Sequence, residues 1–201
     1  MRWSWIAVML VYGVTQAEII DRIAIIADND AILDSDIQRD IRLTSFLNSK
    51  APDFSPASRK AAASRLVDQD LIRKQIRSGV YPSASRAQVD ALLSQIRHDR
   101  FLSDTEFSQA LARNGITEAQ LRDRLSWQLT VLAFIDARFR PEVTISNKDI
   151  NDYMTSHKSA NPTEAQVREL ITGERVNKLL NSWLDDARKD TRVEYLEKSL
   201  K

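Results

Sequence analysis

The sequence contains no cysteine, and this absence excludes several classes of protein at once. Without thiols the chain can form no disulfide framework, no zinc finger and no thiol-based active site. Attachment of a lipid through an N-terminal cysteine is excluded for the same reason. The fold must therefore be held by its hydrophobic core and its polar contacts alone.

Glycine and histidine are scarce, with 4 and 2 residues in a chain of 201. Apart from one glycine near the N-terminus, the glycines are Gly79, Gly115 and Gly173, which are too far apart for a phosphate-binding loop. GxSxG and HExxH motifs are absent as well. We interpret His98 and His157 as solvated surface residues. The sequence therefore predicts no enzyme activity, no ATP-driven work, no cofactor and no metal site.

Neither sign of charge dominates, since 29 basic residues stand against 28 acidic ones. This balance gives no electrostatic argument for binding nucleic acid or an anionic membrane surface. Charges of both signs are interleaved along the chain, for example at Asp68, Asp70, Arg73 and Lys74. Such interleaving is typical of solvated helix faces.

The first 17 residues have the order of an export signal. Arg2 precedes an apolar run of 12 residues, 3–14, and small residues follow up to Ala17. A lasting membrane span needs about 20 apolar residues, so the run is too short for one. We predict removal of residues 1–17 by cleavage between Ala17 and Glu18. The alternatives are a short N-terminal anchor and a buried strand.

The apolar periodicity predicts a mostly α, α+β fold. β-branched residues at 19–27 and an apolar triplet at 31–33 flank the turn Asp28-Asn29-Asp30, which indicates a β-hairpin. Residues 192–196 read as a further strand. Because an isolated hairpin is marginal in water, we expect this strand to pair with the hairpin and join the two ends of the domain.

Helix-capping signals and apolar spacing predict seven helices between these strands. The fifth, which runs to Phe139, has two apolar stripes and is therefore either a central core helix or a helix offering one face to a partner. The predicted starts are Ser35 with Gln38, Ser55-Pro56, Ser83, Ser103 with Glu106, Thr117 with Gln120, Ser146 with Asp149, and Glu164. The two stripes are Leu121, Leu125, Leu129, Leu132 and Phe139, and Trp127, Val131 and Phe134.

Four segments, in order, resemble the SurA-type periplasmic chaperones. No single segment is diagnostic, but their shared order covers nearly all of the chain after the signal. They are IIDRIAIIADNDAILDSDIQRDI at 19–41, LVDQDLI at 66–72, Thr144-Ile145-Ser146 with Asp149-Ile150, and Trp183-Leu184 with Ala187-Arg188 and Val193-Glu194.

The chain also departs from the pattern of that family. In SurA-type proteins one or two parvulin-type prolyl-isomerase domains precede the final long helix. Here only the short linker 156–163 stands at that place, and it is too short for such a domain. The resemblance thus implies one chaperone domain, formed by residues 18–155 and completed by residues 164–201, without prolyl-isomerase activity.

The resemblance implies an ATP-independent periplasmic chaperone that holds unfolded outer-membrane β-barrel precursors in an apolar cleft. It implies neither nucleic-acid binding nor stable membrane insertion after signal removal. A periplasmic scaffold that binds one fixed folded partner is the alternative, and a secreted enzyme is a more remote third. The candidate cleft residues are Phe101, Leu102, Phe107, Trp127, Val131 and Phe134.

Overall fold

The computed structural model describes residues 21–156 and 162–200. Within them lie seven α-helices and one three-stranded antiparallel sheet, which confirms the mostly α, α+β fold. The predicted signal and its cleavage site at Ala17 and Glu18 lie outside the described residues, as do His157 and most of the 156–163 linker. The elements are β1 Ile23–Ala27, β2 Asp30–Leu33, α1 Asp34–Leu47, α2 Pro56–Ser78, α3 Arg86–Arg100, α4 Asp104–Arg113, α5 Glu118–Phe139, α6 Asn147–Ser156, α7 Glu164–Asp190 and β3 Val193–Tyr195.

The sheet joins the two ends of the described chain, as predicted. Its strand order is β2-β1-β3, so the hairpin strand β1 lies in the centre. Ile25 pairs with Tyr195 and Ala27 pairs with Val193. The third strand gives β1 a second partner and makes the hairpin part of a sheet that packs on α2. The prediction that β3 pairs with the hairpin is therefore confirmed.

Two helices begin at other residues than predicted. The backbone N–H of Leu33 donates to the Asp36 carboxylate at 3.0 Å, so α1 starts at Asp34 and the predicted cap at Ser35 is wrong. The N-cap is Leu33, which has no capping side chain, and the Asp36 carboxylate at the third helical position satisfies its N–H in place of a side-chain cap. The helix can therefore begin directly after β2.

The third helix is capped by Ser85, not by Ser83. The Ser85 hydroxyl accepts from the backbone N–H of Gln88 in a capping box. The preceding residue is fixed by a tertiary contact, since the Ala84 N–H donates to the Thr130 hydroxyl at 3.1 Å. This contact holds the residue before the cap against α5. The predicted caps Ser55, Ser103 and Thr117 are confirmed.

The helix α5 is central to the core, which confirms the first of its two interpretations. Leu121 and Leu125 pack with residues of α1, α3 and α4, while Phe134 and Phe139 pack with residues of α2 and α7. The predicted stripes are partly wrong, because Phe139 belongs to the Phe134 side. Leu132 faces solvent with 62% of its surface exposed.

Arg59 connects three parts of the fold through ion pairs. Its guanidinium lies 2.6 Å from Asp34 at the start of α1 and 2.8 Å from Glu197 beyond β3. Burial disfavours the charge on Asp34, but its hydrogen bonds from Arg59 and Gln38 outweigh this and hold its pKa below the ordinary value. The folded state therefore favours the ionised carboxylate.

We expect Asp34→Asn to lower the free energy of unfolding at pH 7 by roughly 1.5 kcal/mol, the lower end for hydrogen bonds to charged groups. Because the folded-state pKa is depressed, this contribution is present above the unfolded pKa and is lost as pH falls through the folded pKa. Urea unfolding at pH 7 and pH 3 measures the difference. The exposed Asp186→Asn serves as control, and a difference independent of pH would contradict the assignment.

Replacement of two glycines by alanine should change the stability of the fold in opposite directions. Gly115, after α4, has φ +63°, where an L side chain costs about 1–2 kcal/mol. Gly173 lies inside α7 with open space around the position of a Cβ, where alanine gains roughly 0.8–1.0 kcal/mol of helix propensity. We expect Gly115→Ala to lower and Gly173→Ala to raise the melting temperature. Shifts of the melting temperature in the same direction for both variants would contradict the prediction.

Candidate functional site

A groove of about 460 Å³ lies between β2, α1, α2 and α5. Pockets that hold small ligands have volumes of roughly 300–1,000 Å³, so the space is sufficient for several side chains of a bound molecule. Its lining residues are Asp30, Ala31, Ile32, Asp36, Arg39, Asp40, Leu43, Leu66, Gln69, Asp70, Arg73, Gln120, Asp123, Arg124 and Trp127.

The groove combines an apolar floor with a charged rim. Ile32 and Leu43 are buried and Leu66 is half-buried, whereas Arg39 and Asp123 are exposed. The half-buried Trp127 of α5 completes the apolar part. The Arg73 guanidinium from α2 lies over the Trp127 ring, 4.9 Å from its centroid, in cation–π geometry.

Asp40 is the central charge of the site, and it is only 3% exposed. Its two carboxylate oxygens accept from different helices: Arg65 of α2 donates at 2.6 Å and Arg124 of α5 donates at 2.7 Å. Arg124 also donates to the Thr44 hydroxyl at 3.2 Å. Asp40 of α1 therefore fixes the spacing of the three helices around the groove.

Lys74 forms a second charged network at the β2 end of the groove. Its ammonium lies 2.9 Å from the buried Asp70, 3.2 Å from Asp28 and 3.3 Å from Asp30. Burial disfavours the charge of Lys74, but hydrogen bonds to Asp70 and Asp28 outweigh it and raise the pKa. The network thus fixes the hairpin turn against α2.

The two buried aspartates correct our interpretation of the charge pattern. Asp70 belongs to the interleaved charges that we expected on a solvated face, yet it is buried. A signal was present, because Asp40 follows Ile37 and precedes Ile41, and Asp70 stands in the same way between Val67 and Leu71. An acidic residue at helical spacing inside an apolar stripe indicates a buried, paired charge.

The candidate cleft residues belong to two different apolar clusters, with Leu102 exposed beside the first. Phe101 and Phe107 pack with Phe46 of α1, their ring centroids 6.1 Å and 6.3 Å from that of Phe46. Phe107 is 1% exposed and so offers almost no surface to a client. Leu102, in contrast, is 99% exposed beside this aromatic cluster.

The other three candidates lie on α5. Phe134 is fully buried, with its ring 4.9 Å from that of Tyr81 and 5.9 Å from that of Trp183. Val131 is half-buried in the same apolar cluster. Trp127 alone lines the groove. The role of the six residues in client binding stays a prediction, and burial in the core explains why aromatic spacing did not identify a single surface.

The residues that form the groove were not identified from sequence, except for Trp127. They come from four elements spread over residues 30–127, and none forms a local motif. In the described part of the chain no group of three or more His, Asp or Glu residues could hold a metal ion. Within residues 21–156 and 162–200, no helix has the length and apolar character needed to cross a membrane.

Comparison with known proteins reveals distant relatives that are chaperones. No protein-family model matches the chain. It is 25% identical to the chaperone SurA of Saccharophagus degradans and 22% identical to that of Chromobacterium violaceum, over 71% and 76% of this chain. The chaperone SurA of Chromohalobacter salexigens is 24% identical over 69% of it.

These matches cover about a third of each relative, namely 34%, 36% and 32% of its length. The similarity suggests that this chain belongs among proteins with a chaperone role. It supports, more specifically, a distant relationship to the SurA chaperones.

Proposed function

We propose that this protein is an ATP-independent chaperone that binds unfolded or partly folded proteins. The observation that carries the proposal is the similarity to SurA chaperones over about 70% of the chain. Outer-membrane β-barrel precursors are the proposed clients. The proposed location is the periplasm, reached through the predicted export signal.

The groove between β2, α1, α2 and α5 is the proposed client site. Its apolar floor can bury aliphatic and aromatic side chains, and its fixed charges of both signs can meet polar groups of many sequences. Contacts of this kind tolerate sequence variety, which a chaperone for several clients requires. Trp127 is thereby retained from the predicted set, and the exposed Leu102 remains a candidate for a second contact.

The proposal includes one chaperone domain without prolyl-isomerase activity. Residues 18–155 and 164–201 would form this single unit. Its support is the sheet, in which β1 pairs with both β2 and β3, together with the few residues between Ser156 and Glu164.

An aggregation assay tests the function directly. Without nucleotide, stoichiometric amounts of residues 18–201 should keep an unfolded porin soluble after dilution from denaturant. No suppression of light scattering at stoichiometric amounts would refute the chaperone proposal.

A tetrapeptide isomerase assay tests the proposed domain organisation. It should give the uncatalysed rate of prolyl isomerisation, and strong catalysis would refute the proposal of a single domain without isomerase activity.

A matched pair of variants on one helix tests the site. Trp127→Ala should weaken porin protection several-fold because it removes apolar surface from the groove, whereas the exposed Leu132→Ala should protect like the wild type. Equal porin protection by both variants would contradict the assignment of the groove as the client site.

Co-purification distinguishes the chaperone from the scaffold alternative. A single folded partner in stoichiometric amount, in place of mixed unfolded precursors, would favour the scaffold.

A further inference from the structure

The groove meets β2 along the edge of the strand and not at one face. Asp30, Ala31 and Ile32 are consecutive residues, and all three line the groove. Consecutive side chains of a strand point to opposite faces of the sheet. Lining by three successive residues therefore places the open space beside the free edge of β2.

This free edge has backbone groups available for pairing. β2 is bonded on one side to β1, and the order β2-β1-β3 leaves its other side at the sheet boundary. Ala31 is the β2 residue whose backbone N–H and C=O face this edge, because Asp30 and Ile32 pair with Ala27 and Ile25 of β1 and the Leu33 N–H donates to the Asp36 carboxylate. Among the described residues, no group hydrogen-bonds to the backbone of Ala31. Unpaired N–H and C=O groups of an edge strand are a template for another extended chain.

The helices across the groove provide the second half of a strand-binding site. Leu66 of α2 and Trp127 of α5, both half-buried, present apolar surface to the groove, and the buried Leu43 of α1 lies behind them. Every second side chain of a strand laid along β2 would point in the same direction, because side chains alternate along an extended chain. Apolar residues at alternate positions could therefore reach this surface while the others meet solvent and the charged rim.

We propose that an extended polypeptide segment with apolar side chains at alternate positions binds here as an additional strand on β2. The inference rests on the proposed chaperone function and specifies how a client is held. Main-chain hydrogen bonds can hold a segment of any sequence. The contacts of its alternate side chains with the groove favour apolar residues at those positions. Since Ala31 alone among the β2 residues faces the free edge, β2 offers one N–H and one C=O, and attachment is short and reversible.

Backbone methylation of a peptide tests the mode of binding without altering the protein. The probe is a labelled peptide of about eight residues with leucine at alternate positions, titrated with residues 18–201 by fluorescence anisotropy. Two analogues carry N-methyl groups at the odd or the even positions. Since alternate N–H groups of a strand point to opposite sides, one analogue should bind about tenfold more weakly and the other like the parent.

A matched pair of protein variants completes the test. Ala31→Lys places a lysine on the exposed edge, a substitution that hinders strand addition, and should weaken peptide binding about tenfold. Ala61→Lys makes the same change on the exposed face of α2 and should bind like the wild type. Urea unfolding of both variants shows whether the fold is retained.

The outcomes separate this inference from the proposed function. If both methylated analogues bind like the parent while porin remains protected, strand addition is refuted and the chaperone function stands. Peptide binding that requires dimerisation through β2 would also refute it, because a second copy would then occupy the edge. If neither peptide nor porin is bound, both proposals fail.

Discussion

Replacing Asp40 with alanine is expected to lower the free energy of unfolding by about 3–5 kcal/mol, as for removal of one partner of a buried ion pair. The loss exceeds that of a surface pair because Arg124, itself mostly buried, would lose its carboxylate partner while remaining in the core. Arg65 would lose its partner too, although it is more exposed. Urea denaturation monitored by far-ultraviolet circular dichroism measures the change.

Asp123→Ala is the matched control for Asp40→Ala. Asp123 lines the same groove but is exposed, so its replacement should change the free energy of unfolding by no more than about 0.5 kcal/mol. A loss below about 1 kcal/mol for Asp40→Ala would show that the three-helix network does not hold the groove together. In that case the groove would have to be maintained by the apolar clusters alone.

Phe134→Ala should cost about 3–5 kcal/mol, the usual loss for a buried aromatic side chain. The ring contacts Tyr81, Phe139 and Trp183, so its removal leaves a cavity where α2, α5 and α7 meet. Thermal and chemical unfolding measure the loss. A stability close to wild type together with a loss of client binding would instead assign Phe134 to a cleft.

Leu102→Ala provides the comparison for this experiment. Leu102 is almost fully exposed, and its truncation should leave the free energy of unfolding within about 0.5 kcal/mol of the wild type. Any change in porin protection by this variant would then report on surface contact with the client. The pair thus distinguishes a core aromatic from an exposed apolar residue within one predicted set.

Local chemistry made much of the fold predictable. Ser103 and Thr117 cap their helices as expected, because each hydroxyl stands just before an apolar periodic segment and meets a backbone N–H three residues on. The pairing of β3 with β1 followed from the low stability of a lone hairpin. The cap at Ser35 was wrong because the Asp36 carboxylate lets α1 begin directly after β2, and the cap at Ser83 was wrong because Ser85 offers the same hydroxyl two residues on.

The candidate site was much less predictable, for a reason that Asp40 and Asp70 illustrate. Each lies one turn from apolar residues, and each carboxylate is paired with a cation. Asp70 pairs with Lys74, one turn along the same helix, whereas Asp40 pairs with Arg65 of another helix. For Asp40, the partner Arg124 is supplied by a helix far along the chain. Periodicity reports which face of one helix is apolar, but not which charges several helices bring together.

The position of β1 in the sheet has a consequence for the order in which the chain folds. Ala27 finds its partner Val193 only after α1 to α7, which lie between them in the chain, are present. Closing so long a loop is costly in entropy and slows folding relative to local helix formation. We expect the helices to form and pack first, with β1 open to other extended chains until β3 arrives. Folding of this protein would thus pass through a stage at which one edge of β1 has unpaired backbone groups, like an edge strand that awaits a partner.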